Sequence, residues 1–119
     1  MAKKYNILIV DDVRENLILL KNCLESQNYN IRSATSGQMA LKTFMGKEPD
    51  LILLDIRMPE MSGFEVAKIL KEDAKTADIP IIFISALDGT SDKVDAFLSG
   101  GVDYITKPFS NEEVLARVS

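Results

Sequence analysis

Histidine is absent from this 119-residue sequence. That excludes a histidine-based catalytic triad, a histidine metal site and a phosphohistidine carried by this chain. Cysteine occurs once, at position 23, so no internal disulfide can form. A lone thiol fits a reducing compartment, and a cytoplasmic location is expected. No apolar run approaches the roughly 20 residues of a membrane span. Met1-Ala2-Lys3-Lys4 leads into a strand rather than into the apolar stretch of a signal peptide. Basic charge is in deficit: the formal net charge is −4. Direct contact of this domain with nucleic acid or a membrane surface is therefore not expected. Proline and glycine are few, and neither repeats nor low-complexity tracts are present.

What remains is an ordinary globular composition, 46% hydrophobic and 27% charged. The length suits one domain, able to bury about two thirds of its unfolded surface. The most informative stretch is Leu51-Ile52-Leu53-Leu54-Asp55-Ile56-Arg57-Met58-Pro59. Its unbroken apolar run suits a strand covered on both faces, as in a parallel sheet between helical layers. Pro59 cannot continue a central strand, so Asp55 is expected at or just past the strand's carboxyl end. In an open α/β sheet, ligands bind there.

The rest of the chain repeats a β–α pattern about five times. Strands are expected at 5–10, 29–34, 79–84 and 102–105, besides the central one. The first helix, 13–26, carries Leu17, Leu20 and Leu24 at helical spacing. A second opens on a Thr35/Gln38 capping box and runs through Phe44, with Met39, Ala40 and Phe44 inward. A turn over 46–50 follows, into the central strand. Ser62 and Glu65 form a further capping box for a helix through Lys71. Residues 73–78 read as a polar loop. A helix over 91–99 stops at Gly100-Gly101, and Ser110 with Glu113 opens a final helix. The connections are short enough to make an open, doubly wound parallel sheet with helices on both faces the expected fold. A closed barrel would need about eight such units.

Several polar residues collect at the strand carboxyl ends: Asp11 and Asp12, Asp55, Ser85 and Lys107. Three carboxylates brought together repel one another, and a divalent cation relieves that repulsion. Mg²⁺ prefers hard oxygen ligands, Lys107 suits a phosphoryl oxygen, and Ser85 offers a hydroxyl donor. The chemistry these groups support is phosphoryl transfer, with a carboxylate as nucleophile. Taken singly, each has a plainer explanation. Asp11-Asp12 could be an acidic pair favoured at a helix N-terminus, Lys107 a solvated lysine, and Tyr104 a half-buried strand residue. Gly63 and Gly100-Gly101 could serve backbone conformation. Met39, Met45, Met58 and Met61 read as gap-filling or surface residues, and Cys23 as a packed thiol.

Asp11-Asp12, the segment Asp-Ile-Arg-Met-Pro-Glu-Met-Ser-Gly at 55–63, Ser85-Ala86 and Tyr104-Ile105-Thr106-Lys107-Pro108-Phe109 together resemble the receiver domains of two-component response regulators. The resemblance covers essentially the whole chain. It implies a flavodoxin-like sheet of strand order 2-1-3-4-5, with Asp55 as phosphoacceptor. It also implies Asp12 as a direct Mg²⁺ ligand, Asp11 as a ligand through water, and a share of the metal shell for the Arg57 main-chain carbonyl. Ser85 and Lys107 would contact the phosphoryl group, Lys107-Pro108 would be cis, and Tyr104 would be the switch aromatic.

By the same resemblance the phosphodonor is a histidine kinase or histidine phosphotransfer protein. The domain would be a switch with limited self-catalysed phosphorylation and dephosphorylation rather than an enzyme. It would control an output domain absent from this chain, with phosphorylation-dependent homodimerisation as a further expectation. Residues 1–119 read as a single receiver domain whose last helix is cut short, so excision from a longer protein is expected. Asn16, four residues after Asp12, resembles receivers attached to hybrid kinases and signalling cyclases. Arg57 and Leu87 flank the site and are expected to tune the phosphoryl lifetime.

Three other readings share parts of this pattern. A haloacid-dehalogenase-like phosphatase needs a second Asp where Arg57 stands. A flavin carrier needs a phosphate loop where Asp11-Asp12-Val13-Arg14 stands. A pseudo-receiver would keep the fold without being phosphorylated.

Overall fold

The structure, a computed structural model, describes residues 5–43, 48–85, 103–106 and 110–118. Within them the chain runs β1 (Asn6–Val10), α1 (Arg14–Glu25), β2 (Asn30–Ala34), α2 (Gly37–Thr43), β3 (Leu51–Asp55), α3 (Gly63–Glu72), β4 (Ile81–Ser85), β5 (Asp103–Thr106) and α4 (Asn111–Val118). All four strand pairings are parallel, and the order is β2-β1-β3-β4-β5. The expected strand order and fold class therefore hold. The expected helix over 91–99 and its Gly100-Gly101 stop lie outside the described residues.

Strand alternation divides the interior into two layers. Leu8, Val10, Ile52, Leu54, Ile81, Phe83 and Tyr104 pack with Ala40 of α2 and Val66, Ala67 and Leu70 of α3. Phe64 of α3 sets its ring 5.3 Å from that of Phe83, tilted by 60°. On the other side Ile7, Ile9, Leu53, Ile82, Ile84 and Ile105 meet Leu17, Leu20, Cys23 and Leu24 of α1 and Val114 of α4. Burying each of the larger aliphatic or Phe side chains is worth roughly 1.5–3 kcal/mol. Edge strand β2 is polar where it meets solvent, at Asn30 and Ser33. Cys23 is packed as expected, and burial raises its thiol pKa above the ordinary range, so it stays protonated at neutral pH.

The capping rules succeed at two helices and slip at one. Ser62 Oγ accepts the Glu65 N–H while the Glu65 carboxylate accepts that of Ser62, the reciprocal box expected of α3. Ser110 Oγ accepts the Glu113 N–H at 3.1 Å. At α2 the cap is Ser36, not Thr35: Ser36 Oγ accepts the Met39 N–H at 3.1 Å. That shift turns small Gly37 and Ala40 inward and leaves Met39 45% exposed, against expectation. The reason is space, because a Cβ on Gly37 would lie 2.6 Å from Val66 Cγ2. Phe44 lies outside the described residues.

Two further boundaries move. Strand β4 starts after Pro80 rather than at Ile79, since proline has no N–H for the ladder. The 73–78 segment is built around buried Thr76, whose hydroxyl donates to the Leu70 carbonyl at 2.6 Å. Lys71 Nζ then donates to the Ala77 and Ile79 carbonyls, at 2.8 and 3.2 Å, fastening the end of α3 to the entry of β4. Among the described residues no helix is long and apolar enough to cross a membrane.

Candidate functional site

The site lies at the carboxyl edge of the sheet, because every strand of a right-handed β–α repeat ends on the same side. Val10 pairs with Leu54 across β1 and β3, so Asp11 and Asp55 emerge as near neighbours. Asp55 is the last residue of β3 and pairs with Ile84 of β4. One carboxylate oxygen from each of Asp11, Asp12 and Asp55 lies within 4.8 Å of the others. Asp11 and Asp55 are 1% and 3% exposed, whereas Asp12 is nearer solvent.

Crowding of this kind is costly. Two unit charges about 5 Å apart repel by roughly 3 kcal/mol at an effective dielectric constant near 20. The donor set suits a divalent cation: all three ligands are hard oxygens, and their spacing is only slightly wider than that of one shell. Around Mg²⁺, with oxygens at about 2.0–2.1 Å, neighbouring ligands stand about 3 Å apart and opposite ones about 4 Å. The acidic cluster can therefore hold a metal ion with small side-chain adjustments. Asp11 also has a structural part: its Oδ1 accepts the Val13 N–H at 2.9 Å, just before α1. The structural and the ligand readings thus apply to different features of one residue.

Ser85 ends β4, is 1% exposed, and pairs with Thr106 of β5. Strand alternation puts it on the same face as Phe83, which pairs with Tyr104. Tyr104 is 6% exposed and belongs to the α3-side core. The half-buried reading of this residue is corrected: its ring is inside. Lys107 follows Thr106 directly in sequence but lies outside the described residues, as do Leu87 and the Lys107-Pro108 bond. Arg57 is exposed in the loop after β3. The fold thus brings together Asp11, Asp12 and Asp55 and sets Ser85 on the neighbouring strand end.

That loop is tightly built. Glu60 adopts a positive φ of 69°, and the Met61 N–H reaches back to the Pro59 carbonyl at 2.7 Å. A non-glycine residue held there costs on the order of 1–3 kcal/mol. Gly63, which closes the loop, was expected to serve backbone conformation. Its φ is not in the left-handed region, and the demand on it is spatial instead. A Cβ there would collide with the Asp55 carbonyl oxygen and lie 3.0 Å from Ile56 Cα. A sequence signal existed: glycine at the first position of a helix, directly after a capping serine, is a poor helix former without a packing reason.

Comparison with known proteins gives the same picture. The sequence matches the response regulator receiver domain across residues 7–119. It is 42% identical over 112 residues to the response regulator PleD of Caulobacter vibrioides, covering 94% of this chain and 25% of PleD. It is equally similar, at 42% over 112 residues, to the DNA-binding dual master transcriptional regulator RpaA of Synechocystis, covering 94% of this chain and 46% of RpaA. The chain thus spans a quarter to just under half the length of these relatives. Among solved structures, the chemotaxis protein CheY4 of Vibrio cholerae matches with a TM-score of 0.92 at 25% identity, over 98% of this chain and 97% of that one. Fold, acidic strand ends and a match running nearly the length of the chain converge: it belongs to the response regulator receiver domain family, the signalling switches of two-component systems.

Proposed function

We propose that Asp55 accepts a phosphoryl group from a histidine on a partner protein, in a Mg²⁺-dependent reaction. The observation that carries this reading is the convergence of three carboxylates within 4.8 Å at the strand ends of a receiver-family chain. Asp11, Asp12 and Asp55 would hold the ion, Asp12 directly and Asp11 through water, with the Arg57 main-chain carbonyl as a further oxygen donor. Bound Mg²⁺ supplies positive charge that offsets the crowded carboxylates and the transferring phosphoryl oxygens.

An Asp55 carboxylate oxygen attacks phosphorus in line with the donor's P–N bond. The new P–O bond makes an acyl phosphate, and the P–N electron pair stays on the donor imidazole. The Ser85 hydroxyl and Lys107 ammonium hydrogen-bond phosphoryl oxygens and so stabilise the product. Attack by water later returns Asp55 and releases phosphate, which makes the chain catalytic only in this limited sense. Phosphorylation draws Ser85 toward the phosphoryl group and favours the inward position of Tyr104. The result is a population shift that reshapes the face formed by the helix expected over 91–99, β5 and α4.

Residues 1–119 act as one receiver domain of a longer cytoplasmic protein. Support comes from the share of PleD and RpaA that the chain covers. A histidine kinase or histidine phosphotransfer protein is the donor. An output module, and a homodimer formed on phosphorylation, deliver the signal. The decisive experiment is incubation with Mg²⁺ and a small phosphodonor, followed by mass measurement of wild type and Asp55→Ala. One added phosphoryl group on the wild type alone supports the reading. An unmodified wild type, or a modified Asp55→Ala, overturns it.

A further inference from the structure

Ile56, immediately after Asp55, uses both of its main-chain groups to join separate elements. Its N–H donates to the Ile84 carbonyl of β4 at 3.1 Å, and its carbonyl accepts the Gly63 N–H at 2.8 Å. The first residue of α3, the end of β3 and the residue before Ser85 are thereby tied through one residue. The Ile56–Gly63 bond also closes the neck of the 57–62 loop, which carries Arg57. Nothing larger than hydrogen fits at position 63, since a Cβ would meet the Asp55 carbonyl oxygen, the Asp55 carbonyl carbon at 3.0 Å and Ile56 Cα at 3.0 Å. These are backbone atoms, which cannot swing aside as a flexible side chain can.

We propose that Gly63 is a positioning residue for the acidic pocket: by seating α3 directly against the Asp55–Ile56 peptide, it holds the Asp55 carboxylate where it can share a divalent cation with Asp11 and Asp12. This rests on the reading of Asp11, Asp12 and Asp55 as a Mg²⁺ site. Gly63 touches neither metal nor phosphoryl group; it acts through the main chain on either side of Asp55. Mg²⁺ tolerates little departure from octahedral geometry. A backbone shift of a few tenths of an ångström at Asp55 therefore lowers affinity more than it lowers stability. Gly37 is the natural control. Its missing Cβ faces Val66 Cγ2 at 2.6 Å and Met61 Sδ at 3.0 Å, both side-chain atoms between α2 and α3.

The test compares wild type, Gly63→Ala, Gly37→Ala and Ser62→Ala by calorimetric Mg²⁺ titration, with thermal unfolding in EDTA as a separate readout. Gly63→Ala is expected to weaken Mg²⁺ binding about tenfold or more, the usual cost of disturbing the support of a metal ligand. Gly37→Ala and Ser62→Ala are expected to lower the unfolding midpoint while keeping the Mg²⁺ dissociation constant within about twofold of wild type. Wild-type binding that Gly63→Ala leaves within about twofold overturns the inference alone, as does an equal loss in Gly37→Ala. Absence of Mg²⁺ binding to the wild type sinks the reading of the pocket itself, and the inference with it. Should Gly63→Ala not fold, amide exchange in the wild type decides. Coupling between the clasp and the metal is reciprocal, so Mg²⁺ must slow exchange at Gly63 more than at Asp50, at the far end of β3. Equal slowing at both positions overturns the proposal.

Discussion

Acidic residues stand at both ends of this sheet, but they are treated differently. At the amino ends of the strands, Asp50 and Asp103 are each satisfied by groups of their own chain. Asp50, just before β3, accepts the Asn6 N–H at 2.8 Å while its own N–H donates to the Asn6 carbonyl at 2.7 Å. Asp103, opening β5, accepts the Tyr104 N–H at 2.8 Å and pairs with Arg117 of α4 at 3.2 Å. At the carboxyl ends, Asp11, Asp12 and Asp55 are pressed against one another within 4.8 Å. One end uses carboxylates to hold strands and helices in place. The other accumulates negative charge that a cation can relieve, which is what a site for phosphoryl transfer requires.

The contrast can be broken most decisively at Asp55. Asp55→Ala is expected to abolish phosphorylation altogether, whereas Asp50→Ala should leave the extent of modification unchanged, as read by intact mass. Next in size is the effect of the ion. Mg²⁺ at 100 times its dissociation constant should stabilise the wild type by about 2.7 kcal/mol, seen in denaturant titration and lost in Asp55→Ala. Removing the Asp50 carboxylate should cost about 1.5–3 kcal/mol, since a charged acceptor is withdrawn from a backbone N–H, with Mg²⁺ affinity unmoved. Asp55→Asn should act in the opposite direction. In EDTA at neutral pH it should raise the unfolding free energy by about 1 kcal/mol, because one of three crowded charges is gone. The smallest effect belongs to Arg117→Ala. Its ion pair is exposed, and its loss should change stability by less than about 0.5 kcal/mol. A destabilised Asp55→Asn, or an Asp50→Ala whose Mg²⁺ affinity differs from wild type, would erase the distinction between the two ends.

Much of this arrangement was legible beforehand, for local reasons. The apolar run 51–54 followed by Asp55 and Pro59 allowed one structure, a buried strand ending at its carboxylate, and β3 ends at Asp55. Ser62 and Glu65 specified the start of α3 because a capping box is a contact between residues three apart. The misreadings were those in which neighbours distant in sequence decide. Thr35 and Ser36 are both acceptable caps, and the tight fit of Gly37 against Val66 is compatible only with the second. Met39 has the right spacing to face inward but is displaced by the smaller Ala40 for the same reason. Tyr104 looked amphipathic by residue type, yet its pairing with Phe83 carries its ring into the core. Gly63, a poor helix former at the start of α3, signalled a packing demand but not that its neighbour would be the Asp55 peptide.

By itself the sequence determined the β–α rhythm, the starts of α3 and α4, and the placement of aspartates at strand carboxyl ends. These follow from side-chain periodicity, capping and proline's missing N–H, all of which act within a few residues. Only the tertiary structure decided that Asp11, Asp12 and Asp55 share one 4.8 Å cluster, that Tyr104 is inside, and that Gly63 abuts the Asp55 backbone. Those outcomes depend on which strands become neighbours and how closely α3 is seated. They are set by burial and packing over the whole sheet, which no local pattern encodes.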